Sequence, residues 1–261
     1  MYRVQKTFLH KLTVAMFVYI LILVSSNLFA GALENLGIAT AYDNAVLDAS
    51  VAEKGEIVNN LIAITPQNDQ LVWNKDKSKL LVVTWKSQDS YEQFLKPYHQ
   101  TSTDEAYVIW VTTAPQVQNF CKQYVKANPD ATEDDINLRL KQYLGLNFEW
   151  EYDLFVEMWV SPDDLFRPSV DPEIDDSTCN LNFGDTAPVV KGIQDYPSFY
   201  KNLYFSDFRS LPGVPWTGLG YTFDWGNPVT EEGASEFILV PGASYEIEQA
   251  VPTMEYCKIT N

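Results

Sequence analysis

Leu80-Leu81-Val82-Val83-Thr84-Trp85 is apolar at odd and even positions alike, a pattern that suits a strand buried on both faces at the centre of a sheet. Before it, Gln70 to Trp73 and the polar turn Asn74-Lys75-Asp76-Lys77-Ser78 read as the first arm of a hairpin. After it, Ala106 to Val111 reads as a second buried strand and Leu154 to Val160 as a third. In the third, alternation sets Phe155, Glu157 and Trp159 on one face and Leu154, Val156, Met158 and Val160 on the other. Gly220 to Trp225, Ser235 to Val240 and Tyr245 to Gln249 follow as late strands, separated by Gly and Pro turns.

Helices interleave with the early strands. A helical stretch is expected from about Ala45, with Ile57, Val58, Leu61 and Ile62 at helix-compatible spacing near its end, and a short one within Asp89 to Tyr98. Thr113 and Gln116 have capping-box spacing, Pro115 sits in the first turn, and Val117, Phe120, Cys121, Tyr124 and Val125 share one face. A second helix starts at Thr132, with Glu133, Asp134 and Asp135 where the dipole favours acids, and stops near Gly145. Asp195 and Pro197 start an aromatic helix carrying Phe199, Tyr200, Leu203 and Tyr204. Taken together, residues 33–261 read as a single α+β domain with a mixed or largely antiparallel sheet packed by three to four helices.

The first 32 residues read differently. Arg3, Lys6 and Lys11 form a basic front, Leu12 to Val24 is an uncharged apolar run, and Ala30-Gly31-Ala32 offers the small residues of a processing site, which together make a signal peptide over residues 1–32. Because the apolar stretch resumes at Leu28 and Phe29, an uncleaved membrane anchor is the alternative. Either version exports residues 33–261 to the periplasm or outside the cell, and engages the membrane only through the N-terminal segment.

Export would remove three of the 18 basic side chains and none of the 35 acidic ones, leaving a net charge of −20. Nucleic acid and anionic lipid are poor partners for that field. No G-x-x-x-x-G-K-[ST] or G-x-G-x-x-G loop is present, so no nucleotide is expected, nor any other cofactor. His99 is the only imidazole outside the leader, which excludes a multi-histidine zinc site, and no G-x-S-x-G nucleophile elbow accompanies it. Asp171, Glu173, Asp175 and Asp176 resemble a calcium loop only in part: Asp176 stands where that pattern wants Gly and Asn182 where it wants the closing Glu. No metal is therefore expected.

Three cysteines leave one over. A Cys179–Cys257 disulfide, with Cys121 as a buried thiol on a helix face, is the expected arrangement. All seven Trp follow the leader, either as core anchors or as stacking platforms for sugar rings.

The candidate acids are Glu157, flanked by two rings on its face, Asp224, between Phe223 and Trp225 in sequence but alternating outward with Thr222, and Glu236, at the start of a strand and expected at a sheet edge. Arg139, Arg167 and Arg209 are the only arginines after the leader; any of them could pair with Glu157, and Arg167 or Arg209 could orient an acid or a substrate. Two functional expectations follow. The first is an exported binding or interaction domain whose aromatic and acidic surface meets a glycan or an envelope protein. The second is a carboxylate-dependent, glycosidase-like hydrolase using Glu157, Asp224 and Glu236 with Arg167, which requires at least two of those acids in one pocket.

Overall fold

A computed structural model describes residues 33–210 and 213–258, apart from the side chain of Asp207. The expected signal or anchor at residues 1–32 lies outside the described residues. Among the described residues no helix is long and apolar enough to cross a membrane. The chain divides into two units, 1–43 and 44–261; residues 33–43 of the first and 44–48 of the second are helical.

The α+β fold is built in the second unit. Seven strands form the sheet: β1 (Leu80–Lys86), β2 (Ile109–Thr113), β3 (Leu154–Val160), β4 (Leu165–Phe166), β5 (Tyr221–Phe223), β6 (Glu232–Leu239) and β7 (Tyr245–Pro252). Every pairing is antiparallel, in the order β4-β6-β2-β1-β3-β7, with β5 also on β6. The run Leu80–Trp85 is central, as its two apolar faces require: β3 lies along its whole length on one side and β2 on the other.

Each face of β1 feeds its own core. Leu80 and Val82 join Val156, Met158 and Phe237 beneath helix α3 (Tyr196–Asn202), which contributes Tyr196 and Phe199. Leu81 and Val83 join Phe155 beneath α1 (Ala114–Ala127) and α2 (Glu133–Tyr143), which contribute Val117, Cys121, Ile136 and Leu140. The sheet is thus a middle layer, and its strands must be apolar in both directions. Six helices occur among the described residues, more than the three to four expected: residues 33–43 are helical without a clear apolar period, and α4 (Thr253–Tyr256) is too short to show one.

Local signals held at α2, where Thr132 and Asp135 form a reciprocal capping box. At α1 the helix begins after Thr113 with Pro115 in its first turn, as read, but the capping box does not form: the Thr113 side chain caps nothing, and Gln116 accepts the Ser235 N–H of β6 at 3.1 Å. The Ile57–Ile62 spacing does not belong to a helix either: Leu61, Ile62 and Ile64 run through a non-helical segment whose N–H groups bond Ser177 O, Ser235 Oγ and Ile174 O. The Gln70–Ser78 hairpin reduces to one antiparallel bridge, Trp73 with Leu80.

The expected cysteine pairing is corrected. Cys121 of α1 and Cys257, just beyond α4, form the disulfide pair with Cα atoms 5.2 Å apart, because α1 and α4 pack on the same face of the sheet. Cys179 is the free cysteine, buried in a separate cluster with Leu61, Leu219 and Tyr221. Burial raises its thiol pKa.

Candidate functional site

β1 and β2 pair only through Val82 with Thr113 and Val83 with Thr112. Beyond that point β1 continues with Trp85 on Phe155 of β3, and β2 continues with Trp110 on Ile238 of β6. At this parting of the strands lies a cleft of about 320 Å³. Its walls include Trp85 and Trp110 from the strands, Trp150 from the segment after α2, and Phe208 and Trp216 from the segment after α3. Four of the seven tryptophans thus line one cavity.

The side chains around it are held from behind. Arg209 donates to the carbonyls of Val214, Trp216 and Ala49, which fixes the loop presenting Trp216, and its guanidinium lies over the Tyr204 ring at 4.7 Å. Phe208 stacks on Trp216 at 4.7 Å, and both meet Trp110 edge to face. Trp85 is clamped by Phe155 at 5.2 Å, by Tyr152 at 4.6 Å, and by its N–H on Thr253 Oγ1. Gly145 brings the chain out of α2 at φ +66°, and a Cβ there would come within 3.2 Å of the Phe223 N.

Glu236 is the acid of this cleft. It sits on β6 opposite Thr112, with β2 on one side of its strand and β4 and β5 on the other, so it is an interior position rather than the expected sheet edge. Its Oε1 is buried without a hydrogen-bond partner, and so is the Nε1 of Trp216. The indole N–H faces the carboxyl and favours its charged form, but short of hydrogen-bond geometry this offsets little of the desolvation, which pushes the Glu236 pKa up to about 8. Lys86, also on the cleft wall, is shifted the opposite way: burial lowers its ammonium pKa. Both shifts favour the uncharged form, so the cavity disfavours charge of either sign.

The other candidates lie elsewhere. Glu157 shares a row of the sheet with Glu236, through the pairs Glu157–Val83, Val83–Thr112 and Thr112–Glu236. Three strand spacings separate them, about 14 Å, against about 5–10 Å for the paired acids of glycosidases. The carboxylate of Glu157 accepts from Gln249 Nε2 at 2.6 Å, so an amide takes the place of the arginine expected there. Asp224 does not point outward: it is 2% exposed and receives both terminal nitrogens of Arg139, at 2.8 and 2.7 Å. Phe223, its neighbour, pairs with Glu232, four residues along β6 from Glu236. That offset is about 13 Å.

Arg167 orients none of the three acids. Fully buried, it donates to Ile62 O, Thr178 O and Asp176 O and to the Asp176 carboxylate, tying the acidic loop to the core. In that loop desolvation and the neighbouring Glu173 carboxyl push the Asp171 pKa up to about 7, while Asp171 holds that of Glu173 below its usual value. Among the described residues no group of three or more His, Cys, Asp or Glu is placed to hold a metal ion. His99 lies exposed in its loop.

The tryptophan cleft was missed as a site in the sequence. Its one legible trace is the tryptophan count, which does not say which rings are near one another. No family model matches the chain, and no curated protein or solved structure matches it.

Proposed function

We propose that this chain is an exported, non-catalytic binding protein whose tryptophan cleft takes one small, ring-bearing molecule. The observation that carries this reading is the convergence of Trp85, Trp110, Trp150, Phe208 and Trp216 on one cavity of about 320 Å³ with a mostly apolar lining. A glycan would stack on the same rings, but its many hydroxyls need many polar groups. Here the polar side chains are few, and the Thr222 hydroxyl is already engaged with Tyr143 O and the Ala234 N–H. A mostly apolar body with a small polar edge suits the cleft better.

The hydrolase reading is not carried forward, because Glu236 has no second acid near it and Asp224 is committed to Arg139. N-phenyl-1-naphthylamine, a neutral aromatic fluorophore, tests the binding reading. One equivalent is expected to bind with energy transfer from tryptophan, and Val83→Trp, which fills the cleft from its floor, is expected to abolish it. Fluorophore binding that ignores the filling substitution refutes the reading. Export is tested separately by the N-terminal mass of the cell-derived protein, expected to begin at Leu33.

A further inference from the structure

Resting on that reading, the backbone at the parting of β1 and β2 indicates what kind of molecule carries the ring. Successive residues of a strand turn their N–H and C=O groups to alternate sides. Leu80 pairs with Val160 of β3 on one side and bridges Trp73 on the other, and on that other side the Leu81 N–H donates to Val72 O. At the far end of the strand Lys86 O accepts from the Asp153 N–H, on the β3 side. Trp85 therefore turns both of its backbone groups toward β2, as Leu81 and Val83 do. On β6 the Glu236 N–H turns away to Gly220 O, so Phe237 and its partner Val111 bond each other, and Trp110 turns its groups toward β1.

The register Val83–Thr112 would set Trp85 opposite Trp110, yet the ladder stops before that rung. Among the described residues neither the N–H nor the C=O of Trp85 or of Trp110 has a hydrogen-bond partner. The cleft occupies this gap. It touches Val83, Thr84, Trp85 and Lys86 in succession, and Trp110, Val111 and Thr112 in succession, whereas a cavity over one face of a sheet would touch alternate residues. Two unfilled rungs facing each other fit an extended backbone laid between them, one residue pairing with Trp85 and the next, turned the other way, with Trp110. Its side chains then project to the two faces of the sheet, among the rings of the cleft. A cavity of about 320 Å³ is at the small end of ligand sites and limits that backbone to a few residues.

We propose that the ligand is a short peptide with an aromatic side chain, bound as an added strand between β1 and β2 through the free backbone groups of Trp85 and Trp110.

Calorimetry on the protein purified from cells tests this with three uncharged probes: N-acetyl-phenylalanyl-alanine amide; its ester analogue, in which an oxygen replaces the N–H between the two residues; and 3-phenylpropionamide, which has the ring without the strand. The peptide is expected to bind at least about tenfold more tightly than either of the others, the scale of one satisfied buried hydrogen bond. It should also displace N-phenyl-1-naphthylamine, and hydrogen exchange at the Trp85 and Trp110 amides should slow at least about tenfold with the peptide but not with 3-phenylpropionamide. Equal affinity for the peptide and its ester analogue, or bound peptide that leaves both amides unprotected, overturns the strand pairing. A ten-residue peptide with the same two residues at its centre that binds more tightly overturns the limit to a short peptide. Fluorophore binding that the peptide does not displace overturns this inference and leaves the ring-binding reading standing. Failure of the fluorophore and all three probes to bind removes both.

Discussion

Replacing Glu236 with Gln should make the protein more stable, by an amount that depends on pH in a calculable way. In the fold its carboxyl pKa is pushed up from 4.5 to about 8 because burial penalises the charge. The folded state therefore holds a proton that the unfolded state releases near the lower value, and across that window stability falls as pH rises. At about 1.4 kcal/mol per pKa unit, the penalty is small near pH 4.5, about 3 kcal/mol at pH 7 and about 5 kcal/mol above pH 8. Gln has nearly the same shape and no charge, so its own burial cost does not titrate. Urea unfolding of both proteins isolates this one group, since every other titrating residue is common to them. The stability gap should widen in favour of the variant by about 3–4 kcal/mol between about pH 5 and pH 8. A gap constant to within about 1 kcal/mol would show an ionised, paired Glu236 and would refute the reasoning.

Arg139→Met should cost about 3–5 kcal/mol in urea unfolding, because it leaves the Asp224 carboxylate buried without its bidentate partner. Adding Asp224→Asn should recover much of that loss, whereas a double variant as unstable as the single would mean the pair acts by packing alone. Cys257→Ser opens a bridge between positions 136 residues apart and should cost about 2–5 kcal/mol in thermal or denaturant unfolding. The same experiment on Cys179→Ser should leave the bridge intact, read as one cross-link by non-reducing mass analysis. Thr132→Ala removes the cap of α2 and should cost about 1 kcal/mol, while Thr113→Ala, whose hydroxyl caps nothing, should cost none of that capping energy.

How far the sequence reached is clearest at particular elements. Leu80–Trp85 announced a central strand because burial on both faces forbids polar alternation, and it lies between β2 and β3. Leu154–Val160 is legible to its residue limits for the same reason: it is apolar on both faces but for one acid. The spacing at Thr113 placed the helix start correctly but not its side-chain bonds, because Gln116 is engaged by the N–H of Ser235, a residue 119 positions away. Glu157, Asp224 and Glu236 looked alike on the chain, each an acid among aromatics. Their surroundings differ: an amide, an arginine, and an unpaired position in a cleft.

By itself the sequence determined the sheet-centred α+β character and the acidic charge, since hydrophobic period and composition are local properties of the chain. Only the tertiary structure decided which cysteines are bonded, which arginine meets which acid, and that four distant tryptophans and Glu236 share one cavity. Those are pairings between residues far apart in sequence. They are fixed by strand order and register, and no local pattern encodes where β1 and β2 part.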